Sequence, residues 1–90
     1  MTGEFAISKA GHDKKKLYVI VKESDEMVWL CDGVTKTVAR PKKKNIRHIQ
    51  PVKKIPQEII ELCYQNGIFY DEGIKKAIKE YLRKSATISN

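Results

Sequence analysis

The sequence lacks the features that mark most other classes of small protein. Cys31 and Cys63 are its two cysteines and lie 32 positions apart, which fits neither a disulfide framework nor the close CxxC spacing of a zinc site. Both stand among apolar residues, so we expect reduced thiols in the core. No stretch approaches the roughly 18 apolar residues of a membrane span, and no apolar signal segment opens the sequence. These absences predict a cytoplasmic protein without a membrane partner.

A catalytic pattern is also lacking. His12 and His48 have no carboxylate or nucleophile at a recognisable spacing, and Glu58 and Glu61 are separated by a single helical turn, a spacing that is common by chance. We therefore expect no enzymatic activity, no cofactor, no metal site and no small-molecule substrate.

Positive charge is what the sequence has in excess. Among 90 residues, 18 are Lys or Arg and 11 are Asp or Glu, which gives a net charge of +7. Residues 1–57 hold 13 basic and 6 acidic residues, whereas residues 58–90 hold 5 of each. A basic first part beside a neutral tail predicts a polyanionic partner for the first part, and nucleic acid is the commonest such partner.

Alternating apolar residues predict short strands over the first part of the chain. Segments 3–8, 16–22, 27–31 and 34–38 read as strands, and a last strand or turn over 46–49 is closed by Pro51. Asp32-Gly33 predicts a hairpin turn between the third and fourth strands. Five short strands in about 50 residues predict a small closed barrel.

The barrel requires a covering layer, because two of its strands are apolar on both faces. The tail changes to helical periodicity and predicts helices over 56–66 and 71–84, with Asn66-Gly67 as a stop and Asp71 as an N-cap. The second helix presents one apolar face, formed by Ile74, Ala77, Ile78, Tyr81 and Leu82. The fold class is therefore mainly β with C-terminal α: a barrel over residues 1–54 and a helical extension over 55–90 that packs on it.

Two basic segments are candidates for the anionic partner. Residues 7–21 read as a strand, a turn containing Gly11, and a strand, and glycine lets a backbone approach a phosphate closely. Residues 40–54 carry seven Lys or Arg and no acidic residue. Phosphate contacts from such a segment supply affinity without reading sequence. The alternative for each segment is an ordinary solvated loop.

The same segments resemble a known family. The matching residues are Gly3, Phe5-Ala6-Ile7, Ser8-Lys9-Ala10-Gly11, Asp13-Lys14, Leu17–Val21, Asp32-Gly33, and Arg40-Pro41-Lys42-Lys43-Lys44 with Ile46, His48 and Gln50. Residues 3–50 thereby resemble a KOW-motif domain, as in the short bacterial KOW-domain RNA-binding proteins and the large-subunit ribosomal proteins with an SH3-like barrel. The tail adds little to the resemblance. Many family members carry a second glycine where this chain has Lys15, so the resemblance predicts an altered loop geometry here.

The resemblance implies a non-enzymatic RNA-binding module with an SH3-like KOW barrel. Its partner would be ribosomal RNA of the large subunit or another structured RNA, with ribosomal proteins as further partners. The residues that would contact RNA are Lys9, Gly11, His12, Lys14, Lys15, Lys16, Arg40, Lys42, Lys43, Lys44, Arg47, His48, Lys53 and Lys54.

Two questions of binding mode stay open at this stage. Tyr18 and Trp29 alternate with aliphatic residues on their strands, so packing is favoured over base stacking, and recognition of folded RNA by shape and phosphates is expected. The alternative function is a KOW-type protein-interaction module in transcription or translation complexes, which would use the amphipathic second helix. The sequence names neither the RNA nor the oligomeric state.

Overall fold

The structure is a computed structural model that describes residues 1–9, 11 and 15–88, of which residues 86–88 are described by their backbone alone. Seven strands and two α-helices form in the order β1–β5, α1, β6, β7, α2, and a 3₁₀ turn over Ile46–His48 joins β4 to β5. The strands are β1 Phe5–Ser8, β2 Leu17–Ser24, β3 Met27–Cys31, β4 Lys42–Asn45, β5 Ile49–Val52, β6 Tyr64–Gln65 and β7 Ile68–Phe69. The helices are α1 Gln57–Glu61 and α2 Asp71–Ile88.

Five strands form one antiparallel sheet in the order β4-β3-β2-β1-β5. The expectation of a mainly β chain with C-terminal α is confirmed. The prediction of a closed barrel is wrong, because β4 and β5 are the two edges and do not pair with each other in the described part of the chain. Each edge strand has four residues, and only the three-residue 3₁₀ turn connects them, so the chain passes from one edge to the other without a paired stretch.

Both faces of the sheet are apolar and both are covered. On the inner face, Tyr18, Ile20, Val28 and Leu30 form a buried cluster with Ala6 and Ile49. On the outer face, Val19 and Cys31 pack with Phe5 against residues of the two helices. The alternation predicted for the second and third strands is confirmed for the residues that join the core, since Leu17, Val19, Val21 and Cys31 lie in one cluster and Tyr18, Ile20, Val28 and Leu30 in the other.

The predicted strand over 34–38 is wrong, and these residues form an irregular loop. The cause is Asp32, whose Oδ1 accepts hydrogen bonds from the backbone N–H groups of Val34, Thr35 and Lys36 at 2.8 to 2.9 Å. An aspartate that satisfies three successive N–H groups competes with sheet pairing for the same donors. Asp32-Gly33 therefore begins a loop and not a hairpin, and Pro41 precedes β4 directly.

The tail differs from its predicted form at Asn66-Gly67. Helix α1 ends at Glu61, well before the predicted end, and Asn66 and Gly67 have φ angles of 55° and 78° in the turn that joins β6 to β7. Asn-Gly at the centre of a two-residue hairpin is the typical type I′ sequence. Helix α2 continues beyond residue 84 to Ile88.

Helix α2 supplies most of the cover for the outer face. Ile74 and Ala77 are fully buried in the outer cluster, with Ile78 and Tyr81 packed beside them. Tyr81 meets Phe5 of β1 in an edge-to-face contact with ring centroids 5.7 Å apart. Leu82, which was predicted to share this apolar face, is instead 53% exposed.

Candidate nucleic-acid interface

A solvent-open cavity of about 380 Å³ lies at the inner side of the sheet. Three separate parts of the chain line it: the β1–β2 connection with the first half of β2, the loop that Asp32 organises, and β4. The lining residues are Gly11, Lys16, Tyr18, Thr35, Lys36, Lys42 and Lys44. Four of these seven described residues are lysines, so this part of the lining combines a concave shape with positive charge.

The lysines of the cavity stand around a wall that the core supplies. Tyr18 contributes to the lining while being only 1% exposed, so it is a wall of the cavity and a member of the inner core. The arrangement suits a phosphate, which accepts hydrogen bonds from several ammonium groups at once.

Lys44 is held in place by a residue of another strand. Its Nζ donates a hydrogen bond of 2.8 Å to Oγ of Ser8, which is 1% exposed at the end of β1. Strand β1 is three positions away from β4 in the sheet order, so this contact requires the sheet to curl until β4 and β1 approach each other. The curl places the lysines of β4 opposite the β1–β2 connection and thereby forms the cavity.

The lysine run of β4 is divided between the two faces of the sheet. Lys42 pairs with Leu30 and Lys44 with Val28, both of the inner cluster, whereas Lys43 pairs with Trp29. Directly opposed residues of neighbouring strands share a face. The three consecutive lysines predicted as one patch are therefore two cavity residues and one residue of the opposite face.

Trp29 differs from the expectation for the aromatics. Tyr18 is a core residue, as expected, but Trp29 is only partly buried and belongs to neither buried cluster. The Nζ atoms of Lys22 and Lys43 lie 4.7 and 5.4 Å from the centroid of its ring. Both distances are within the range of cation–π attraction.

Two described residues of the β1–β2 connection have a left-handed backbone. Lys15 has a φ of 72° and Gly11 a φ of 83°, both in the left-handed region that favours glycine. The N–H of Lys15 donates to the carbonyl of Ser8 at 2.7 Å, which closes the connection. Lys15 thus has a backbone conformation that glycine adopts most readily, and the expected change in loop geometry stays a prediction, since most of this loop lies outside the described residues. His12 and Lys14, which were also predicted to contact RNA, lie outside the described residues, as do Ala10 and Asp13.

The remaining predicted residues lie around the cavity or away from it. Lys9 is exposed, and its N–H donates to the carbonyl of His48 at 2.9 Å, so Lys9, Arg47 and His48 lie near the end of β1 where Ser8 meets Lys44. Arg40 is exposed in the loop before β4. Lys53 and Lys54 follow β5 at its far end, beyond the pairing of Val52 with Phe5. The structure thus brings together Gly11, Lys16, Lys42 and Lys44, and separates Lys43, Lys53 and Lys54 from them.

Sequence reasoning missed two basic residues of these surfaces. Lys36 was assigned to a strand, although Asp32 followed by Thr35 is a pattern typical of a side-chain-capped loop. Lys22 reaches Trp29 because the register between β2 and β3 shifts by one residue between Ile20 and Lys22. A bulge of this kind has no reliable sequence signal, so Lys22 was not predictable.

Helix α2 carries a further basic surface on its exposed side. Lys75, Lys76 and Lys79 line a shallow cavity of about 260 Å³ together with Glu72. The carboxylate among them leaves this surface less positive than the inner cavity.

Other kinds of site find little support. The described residues contain no group of three or more His, Cys, Asp or Glu side chains that would hold a metal ion. The thiols of Cys31 and Cys63 are buried, and burial raises the pKa of Cys31 to about 12 and that of Cys63 to about 11. Neither helix of the described chain is long and apolar enough to cross a membrane.

Comparison with known proteins adds no relative. The sequence matches no protein-family model, and no curated protein is similar to it at a significant level.

Proposed function

We propose that this chain is a non-enzymatic RNA-binding module that holds structured RNA by its phosphates at the lysine-lined inner cavity. The observation that carries the proposal is the convergence of Lys16, Lys36 and Lys42, from three separate segments, on one concave surface. Like charges repel, so a surface that gathers lysines from separate segments is one that an anionic ligand stabilises.

The geometry favours phosphates over bases as the groups recognised in the cavity. Lysine is a flexible point donor, suited to phosphate oxygens, and Tyr18, the aromatic side chain among the described lining residues, is committed to the core. The cavity of about 380 Å³ is open to solvent and is lined mainly by lysines. This favours recognition of shape and charge over reading of sequence.

The narrower assignment is a KOW-type domain with an SH3-like fold that acts in the cytoplasm on ribosomal RNA of the large subunit. Its supports are the family resemblance over residues 3–50, the strand order β4-β3-β2-β1-β5 and the 3₁₀ turn between β4 and β5. Gly11 supports the same assignment, because a residue without a side chain lets a phosphate approach its backbone closely.

The test compares two double variants with the same change of charge. Lys16→Glu with Lys42→Glu alters the cavity, and Lys76→Glu with Lys79→Glu alters the exposed side of α2. We expect the cavity variant to lose at least tenfold more affinity for a large-subunit ribosomal RNA fragment in a filter-binding assay, with both variants folded by circular dichroism. Equal losses of affinity in the two variants would show that net charge alone accounts for binding, and would overturn the cavity as the binding site.

Salt dependence tests the binding mode on the unmodified protein. Contacts to about four phosphates predict a slope of about −3 for the logarithm of the binding constant against the logarithm of the salt concentration. Sedimentation of cell lysates at two salt concentrations tests the target. We expect the protein to co-sediment with large ribosomal subunits at the lower salt concentration. Its absence from that fraction would contradict the ribosomal assignment.

A protein-interaction module is the second candidate, and exposed apolar residues are the observation that favours it. Ile68 in β7 is 68% exposed and Leu82 in α2 is 53% exposed. A docking surface built on such residues binds with little dependence on salt, so a flat salt profile would favour this function over RNA binding.

A further inference from the structure

A row of three side chains crosses the sheet on the face opposite the inner cavity. Lys22 of β2 is paired with Trp29 of β3, and Trp29 is paired with Lys43 of β4. The two ammonium groups lie 4.7 and 5.4 Å from the centroid of the indole ring. Lys22 and Lys43 are exposed, so the row presents an aromatic ring between two positive charges to solvent.

The bulge in β2 is what completes this row. With uninterrupted pairing from Ile20 and Leu30 onward, Val21 would oppose Trp29 and Lys22 would oppose the fully buried Val28. The one-residue shift instead turns Lys22 to the outer face, while Val21 packs against the outer core cluster. Bulges re-aim individual side chains at functional surfaces in this way.

Trp29 lies outside the part of this face that the helices cover. Cys31 is two residues further along the same strand and is 0% exposed in the outer cluster, whereas Trp29 is only partly buried and does not belong to that cluster. Packing within the core therefore does not account for the largest side chain of the sheet. A ligand with a flat π surface and a negative charge on each side would match its surroundings.

We infer that Trp29 is a stacking platform for an unpaired nucleotide of RNA, with Lys22 and Lys43 contacting the phosphates on either side of the stacked base. The inference rests on the proposed function for the identity of the polymer and extends it to a second surface with a different mode of recognition. Base–aromatic stacking tolerates any base, so this surface recognises single-stranded character. Cation–π contacts at exposed sites are weak, and a base is therefore able to displace the ammonium groups from the ring towards the phosphates.

The chain offers a direct probe, because Trp29 is its single tryptophan. We expect an oligouridylate of twelve nucleotides to quench its fluorescence and to protect it from collisional quenching by acrylamide. A blunt RNA duplex of twelve base pairs should bind without protecting it. Heparin supplies negative charge without bases, so protection by heparin equal to that by oligouridylate would overturn stacking.

Variants at Trp29 and on β4 complete the test. Trp29→Leu is expected to lower affinity for the labelled oligouridylate about tenfold, and Trp29→Phe by less, with duplex affinity within twofold of the unmodified protein. Lys43→Gln should weaken binding of the oligouridylate more than that of the duplex, and Lys42→Gln should do the reverse. Unchanged oligouridylate affinity in both Trp29 variants, while the duplex still binds, would overturn this inference alone. Failure of both RNAs to bind would overturn the proposed function with it.

Discussion

The Nζ atom of Lys44 donates a hydrogen bond of 2.8 Å to the buried Oγ of Ser8, and this contact joins an edge strand to β1 across the inner cavity. The curl of the sheet and the shape of the cavity are thus coupled through one lysine. Lys42, its neighbour on the same face, also lines the cavity.

Ser8→Ala is expected to lower the free energy of unfolding by about 1 kcal/mol, because it removes the acceptor that Lys44 uses in a buried position. Chemical denaturation measures the change. Ser24→Ala is the matched control, since Ser24 is exposed at the end of β2 and its substitution should stay within about 0.5 kcal/mol. Equal effects at the two serines would contradict a structural role for the Ser8–Lys44 contact.

Asp71→Ala should loosen the loop that carries Lys36. The Oδ1 atom of Asp71 accepts a hydrogen bond of 2.8 Å from the N–H of Val38, so this carboxylate joins the loop to α2. Asp71 was predicted to cap its own helix, and its carboxylate binds the loop instead. Glu72→Ala removes a carboxylate from the same helical turn without that bond. We expect Asp71→Ala to be more destabilising than Glu72→Ala by about 1 kcal/mol in denaturant titrations. An equal loss of stability in the two variants would show that the effect comes from removing a carboxylate near the helix dipole, and not from losing the hydrogen bond to Val38.

Asp32 should make the fold sensitive to acid. Burial opposes ionisation of this carboxyl group, but hydrogen bonds from Lys36, Thr35 and Val34 outweigh it and hold the pKa below its ordinary value of 3.8. The ionised group therefore stabilises the fold above that value, and the stabilisation is lost as the pH falls through the lower pKa of the folded state.

Asp32→Ala is accordingly expected to lower the free energy of unfolding at pH 7 by about 1 to 2 kcal/mol, as loss of a capping side chain does. It should also flatten the dependence of stability on pH below 4. Thermal unfolding at several pH values measures both effects, with Glu61→Gln as an exposed control. Parallel profiles for the Asp32 variant and the unmodified protein would contradict this account.

The two thiols should be unreactive in the folded protein. Burial raises the pKa of Cys31 to about 12, with further contributions from the charges of Asp71 and Asp32, and burial raises that of Cys63 to about 11. An aromatic disulfide reagent at pH 8 is expected to label neither thiol until guanidinium unfolds the chain. The same shifts predict that stability falls as the pH rises from about 9, where unfolded thiols ionise, towards 11 and 12. Rapid labelling under native conditions would show that one of the thiols is accessible.

Two positions on α2 separate its packing role from its exposed surface. Ile74→Ala is expected to cost about 2 to 5 kcal/mol because Ile74 is fully buried against the sheet, whereas Leu82→Ala should cost less than about 0.5 kcal/mol.

A chain that ends at Lys54 should not fold, since it leaves Phe5, Val19 and Cys31 uncovered. A truncated chain with an unaltered melting temperature would show that the helices are dispensable.

The local sequence pattern was sufficient to predict part of the fold. It was insufficient where contacts between distant residues determine the structure. The alternation in residues 17–21 and 27–31 identified both faces correctly, because period-two burial is written residue by residue. The loop after Asp32 was misread because Val and Thr favour strands, while the side chain of Asp32 takes the N–H groups that pairing needs. Asn66-Gly67 was predicted to end a helix and forms the turn of a hairpin instead. The helix before it ends earlier than its apolar residues indicate.

The candidate site follows the same division. Composition and the basic segments identified Lys16, Lys42 and Lys44, whose charge is visible in the sequence, but they did not separate Lys43 from its neighbours. That separation depends on the pairing of β4 with β3. The position of Lys22 depends on a bulge, which is a property of two strands together.

The lysines of the Lys42–Lys44 run lie on two faces of the sheet, and the register of β4 against β3 decides which lysine lies on which face. A slip of one residue against β3 would leave composition and net charge untouched, yet it would turn two ammonium groups towards the Trp29 side and one towards the cavity. A contact next to β4 opposes such a slip, because the N–H of Ile46 donates to the carbonyl of Glu26 in the turn before β3 at 2.8 Å. Two uncharged backbone groups thereby help to determine how three identical side chains are shared between two surfaces.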